Sequence, residues 1–184
     1  MDLKLNLMSR QSKVKILSQK SALERLREIK TAYQTDIQTN YEHKAKNCLT
    51  CEVQGVCCTD AHFVNVHITR LEAVAIQKNL ANLDQEKQHE VYQRIAETVE
   101  TYSLTSKGDT FKQTFACPLF EKGTGCLVHS VKPIPCIQHA CYDRQADLPP
   151  DELQEEVERK IDRINQKTYG NSKWLPLPVY LKQS

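Results

Sequence analysis

Apolar residues recur at helical spacing in three long stretches of the chain. Between residues 12 and 45, Leu23, Leu26, Tyr33, Ile37 and Tyr41 share one face, with Ile29 beside it, which predicts a long N-terminal helix. From Asp84 onward, Val91, Ile95, Val99 and Tyr102 repeat the pattern. A third helix is expected over 151–170, where Leu153, Val157, Ile161 and Ile164 follow Pro149-Pro150 and precede Gly170, a residue suited to a C-cap. A shorter helix should run from about residue 70 to 80. Its start is marked by Thr69-Arg70-Leu71-Glu72, in which a threonine hydroxyl covers one free amide while the glutamate reaches back to another.

A period of two is confined to short runs. Val64, Val66 and Ile68 alternate within 63–69, and Phe111 and Phe115 within 110–116, so each run predicts a strand. Ser106-Lys107-Gly108-Asp109 and Glu121-Lys122-Gly123-Thr124-Gly125 read as turns, and the tail holding Trp174 and Tyr180 among prolines reads as extended chain. Together these elements predict one predominantly helical α+β domain over 1–184, in which small irregular β elements and loops form a cysteine-rich metal site. Internal repeats and low-complexity stretches are absent.

Composition narrows the function. A chain of 184 residues, 40% hydrophobic, is long enough to bury a core without disulfide staples. Its formal charge of +2 gives no indication of nucleic acid, and its five glycines form neither a dinucleotide fingerprint nor a P-loop. No run is long and apolar enough to span a membrane, and Met1 to Met8 lacks the apolar region of a secretory signal, so the cytoplasm is the expected location. The first helix is basic at its start: Lys13, Lys15, Lys20, Arg25, Arg27 and Lys30 outnumber Glu24 and Glu28. A charge run of this kind is ordinarily a solvated face, and the alternative is a docking surface for a protein partner of opposite charge.

The candidate chemistry lies in eight cysteines that bunch in two groups. Cys48, Cys51, Cys57 and Cys58 form the first, and Cys117, Cys126, Cys136 and Cys141 the second, with 58 residues between. Thiols are kept reduced in the cytosol, and clustered thiolates there point to metal. Soft sulfur donors favour zinc or an iron–sulfur cluster over magnesium or calcium, and a C-x2-C turn brings two sulfurs near one centre. All eight are therefore candidate metal ligands. Cys57 and Cys58 are adjacent, so their side chains tend to diverge toward different partners. His129 and His139 are candidate substitutes for a sulfur ligand, whereas His62 and His67 read as core or surface residues and His43 and His89 as solvated. Lys44, Lys46, Lys122, Lys132 and Arg144 flank the cysteines and can offset thiolate charge. A thioredoxin-like role for Cys48-Leu49-Thr50-Cys51 is disfavoured, because the motif follows a predicted helix rather than opening one after a strand.

Over residues 47–142 the chain resembles the YkgJ-type cysteine-cluster family. The resemblance rests on Cys48-Leu49-Thr50-Cys51, Gly55 before Cys57-Cys58, Thr69-x-x-Glu72, Cys117-Pro118-Leu119-Phe120, Gly125-Cys126, Lys132-Pro133 and Cys136. The gap between Cys51 and Cys57 is longer than the family's, and His129 and Lys132 stand where the family prefers an aromatic residue and arginine. The resemblance implies zinc or iron chelation through the cysteines and carries no settled reaction. Two functions follow as expectations: a metal-binding protein whose metal holds the fold and serves metal or electron handling, or a metalloenzyme, protein-modifying in kind, that uses the same cluster.

Overall fold

The computed structural model describes residues 16–46, 53–59, 61 and 64–183. The architecture is predominantly helical α+β. Helix α1 (Gln19–Asn40) starts where the Ser18 hydroxyl accepts a hydrogen bond from the Ser21 amide, so residues 16–18 precede the helix that the sequence extends back to 12. A single 3-10 turn, Glu42–Lys44, continues it. After the four-residue helix α2 (Val56–Thr59) come strand β1 (His67–Ile68) and helices α3 (Arg70–Leu80) and α4 (Gln85–Thr101). The hairpin of β2 (Phe120–Glu121) and β3 (Gly125–Cys126) leads to helix α5 (Ile134–Gln138). Helix α6 (Asp151–Tyr169), strand β4 (Leu175–Pro176) and helix α7 (Leu177–Lys182) close the chain.

Two apolar clusters hold these elements. In one, Ala22, Leu26, Tyr33 and Ile37 of α1 pack with Val157, Ile161 and Ile164 of α6 and with Ile134 and Ile137 of α5. In the other, Ala73, Ile76 and Leu80 of α3 and Val91 and Ile95 of α4 pack with Phe115, Leu119 and the α7 residues Leu177, Val179 and Leu181. Helix α3 joins the clusters, because Leu71 and Ala75 face the first while Ala73, Ile76 and Leu80 face the second. The start of α3 carries both halves of the capping box, and the buried Asn165 of α6 accepts the Leu71 amide at 3.1 Å. Among the described residues, no helix is long and apolar enough to cross a membrane.

Three elements differ from the sequence expectation. Within the described part of the 63–69 run, residues 64–69, two residues form strand: His67 and Ile68 pair antiparallel with Pro176 and Leu175. Residues 110–112 form a 3-10 turn rather than a strand. There Phe115 is buried and Phe111 lies outside, stacked on His67 at 4.3 Å. The tail is not all extended: Pro176 caps α7 and Pro178 sits in its first turn, where a missing amide proton costs nothing.

Candidate functional site

Two backbone hydrogen bonds bring the cysteine segments together. The Cys117 amide donates to the Cys58 carbonyl at 2.7 Å, and the Lys46 amide donates to the Cys141 carbonyl at 2.7 Å. An isolated bridge between Ala45 and Tyr142 extends the second contact. Gly55 fits the seam tightly: its φ of +77° suits only glycine, and a Cβ there would overlap the Phe120 ring. The loop carrying Cys57 and Cys58 is thus seated on the hairpin that carries Cys126.

Cys57, Cys58, Cys117, Cys126 and Cys136 are free and partly buried, and Cys141 is partly buried. Cys48 and Cys51 lie outside the described residues, as does His62. The hydrogen bond from Cys58 and then that from His139 hold the Cys57 thiol well below its ordinary value. Cys58 is raised, first as the donor to Cys57, then by burial and by the negative charge of Cys57, Cys117 and Cys136. Burial pushes Cys117 up to about 11, and Cys126 adds repulsion. Cys136 is raised by burial and by the charges of Cys117 and Cys126, against the opposing pull of Lys132 and Lys30. Burial also raises Cys126. Cys58, Cys117 and Cys136, from two distant segments, therefore sense the charge of neighbouring cysteines.

A cation already leans on this neighbourhood. Arg94 of α4 favours the Cys117 thiolate, and its Nε and Nη2 are buried with no hydrogen-bond partner among the described residues. Sequence reasoning missed Arg94, although it stands next to Ile95, on the edge of the apolar stripe of α4.

The other candidates divide. His139 reaches the Cys57 thiol and is held above its ordinary value by that contact. His129 is exposed, on the 3-10 turn His129–Val131, and faces a groove away from Cys57. His67 is buried, with Nε2 3.2 Å from the Thr110 hydroxyl, and His43 and His89 are exposed. Lys132 favours the thiolates of Cys126 and Cys136; Arg144 is instead paired to Asp147 at 2.6 Å, and Lys46 to Asp143 at 2.6 Å. Lys44 lies over the Tyr41 ring and Lys122 is exposed.

Among the described residues, no group of three or more His, Cys, Asp or Glu side chains stands in a metal-holding arrangement. The donor chemistry nevertheless suits a thiophilic metal: Cys58, Cys117 and Cys136 are free thiols disfavoured as thiolates by burial and neighbouring sulfur charge, with two buried, unpartnered Arg94 nitrogens beside them among the described residues.

Comparison with protein-family models, with curated proteins and with solved structures returns no match. What fold and site define is a mainly helical α+β protein with a seam of cysteines between two loop segments.

Proposed function

We propose that the chain is a metal-binding protein whose cysteine thiolates hold an iron–sulfur cluster or zinc, the metal fastening the 53–59 loop to the 117–141 segment. One observation carries this reading: where the Cys117 amide meets the Cys58 carbonyl, the charges of Cys117 and Cys136 disfavour the Cys58 thiolate across the seam, and burial and then the charge of Cys126 disfavour those of Cys117 and Cys136. A multivalent cation among them reverses that repulsion and makes thiolate the favoured form, as it does for any coordinating thiol. The ligands are drawn from Cys57, Cys58, Cys117, Cys126, Cys136 and Cys141, together with Cys48 and Cys51, and His139, in contact with Cys57, is the candidate nitrogen donor.

When bound, zinc supplies a structural cross-link, and an iron–sulfur cluster also supplies an electron store. The chain's own residues prepare the place. Gly55 lets the loop approach Phe120, Arg94 and Lys132 compensate negative charge, and the Cys58–Cys117 backbone bond sets the distance between segments. Reduced thiols go with a reducing compartment, so the reading includes the cytoplasm.

Metal analysis of anaerobically purified protein, paired with Cys58→Ser and Cys136→Ser, tests the proposal. Bound zinc or iron in stoichiometric amount, lowered in both variants, is the expected outcome. Metal-free wild-type protein, or variants that retain full metal, would overturn it.

A further inference from the structure

A second site lies on the far side of the 129–132 turn, in a groove of about 560 Å³ between α1, α3 and that turn. Its floor is apolar, made by Leu23 and Leu26 of α1, Ala75 of α3, Val131, and Ile137 of α5. Its rim is cationic: Lys20 and Arg27 stand on the α1 side, Lys78 on the α3 side and Lys132 on the turn, against the single acid Glu24.

The walls are fixed from within. Lys30 of α1 is buried and pairs with Glu72 of α3 at 3.0 Å, while its ammonium also donates to the carbonyls of Val131 at 3.3 Å and Lys132 at 3.0 Å. Asn79 donates to the Ser130 hydroxyl at 3.1 Å, which closes α3 onto the turn. Lys30 is neutralised by Glu72, so it adds no free charge to the groove. Lys20, Arg27 and Lys78 are exposed, and neither they nor Lys132 form an ion pair among the described residues.

Charge and shape identify the occupant. Lys20 and Arg27 are seven residues apart on α1, about 10 Å at helical rise, so one phosphate or carboxylate cannot satisfy both. The α1 wall from Lys20 to Gln34 is about 21 Å long, which matches six or seven residues of extended chain. Spaced cations above an apolar floor suit carboxylates separated by apolar side chains. A polyanion with no apolar groups would leave that floor wet. We propose that this groove binds an acidic peptide segment of a protein partner, with carboxylates on the rim cations and leucine- or phenylalanine-type side chains against Leu23, Leu26, Val131 and Ile137. It shares Lys132 with the cysteine seam but contains none of the cysteines, and its binding does not depend on the metal.

Fluorescence anisotropy of the full chain, as purified, tests this with a labelled twelve-residue peptide carrying four glutamates between leucines and phenylalanines. The expected results are saturable binding, weakening as salt rises, and about ten-fold lower affinity for Arg27→Glu/Lys78→Glu at an unchanged melting temperature. Leu23→Ala, partly exposed, gives a second loss through the floor. Equal binding of a peptide with glutamine in place of glutamate, or no response to either variant, overturns the proposal. So does an RNA oligonucleotide that binds the groove more tightly than the peptide and loses affinity in the same charge variant.

Discussion

The helical body and the cysteine seam hold together by opposite means. In the body, α1, α3 and α6 interlock Leu26, Leu71 and Ile161 with almost no exposed area, and apolar burial rewards assembly. In the seam, the closest approaches are backbone bonds between loops and thiols that burial and mutual charge drive upward in pKa. The first region is stable because water leaves it. The second concentrates potential negative charge, which the metal we propose would offset. Helical periodicity builds the first, and only chemistry accounts for the second.

The sharpest breaks should come from the body. Phe115 is fully buried, and Phe115→Ala should lower stability by about 3–5 kcal/mol in urea unfolding through lost burial and the cavity left behind. Lys30→Met strands the Glu72 carboxylate, which is 1% exposed, and should cost about 3–5 kcal/mol. Adding Glu72→Leu should recover part of that, although the capping box is lost with it.

Gly55→Ala probes the seam rather than the body. The left-handed backbone alone costs about 1–2 kcal/mol, and the Phe120 ring must move aside. Metal content should fall while helical circular dichroism is kept. Thr69→Ala removes the α3 cap and should cost about 1 kcal/mol, with metal content unchanged.

The smallest effect concerns acid. Burial lowers His67 below its ordinary value of 6.5, so the unfolded chain binds a proton that the folded chain resists. The neutral ring's contribution is present above pH 6.5 and is lost as pH falls below it. His67→Phe should flatten the slope of stability against pH in that window. An unchanged slope would assign the acid sensitivity to other groups.

Much of the body is legible in the sequence. The stripes Leu26–Tyr33–Ile37 and Val157–Ile161–Ile164 are buried as their spacing requires, and the Thr69 capping box forms. Lys30 lay on the same stripe, four residues after Leu26 and three before Tyr33, yet its charge made it read as solvent-facing. Its burial depends on Glu72, which is distant in sequence, and only packing reveals the pairing. Alternation over 110–116 failed because a 3-10 turn also separates Phe111 from Phe115, with His67 supplying the outer ring's partner. The prolines around 176–178 hid α7, since proline both ends extended chain and opens helices.

For the seam, the sequence marks which residues matter by their bunching, and the backbone contact of Cys58 with Cys117 brings the two bunches together. How the sulfurs would divide among metals in the proposed reading depends on angles that spacing does not encode. Arg94 illustrates the gap, because nothing in its local pattern distinguishes a buried counter-charge from a solvated arginine.

Amide hydrogen exchange on anaerobically purified protein, before and after metal removal by a strong chelator under reducing conditions, tests the central claim most directly. Metal removal should expose the amides of residues 53–59 and 117–126 while α1, α3 and α6 keep their protection. Identical exchange with and without chelator, or release of no metal at all, would contradict a seam fastened by metal.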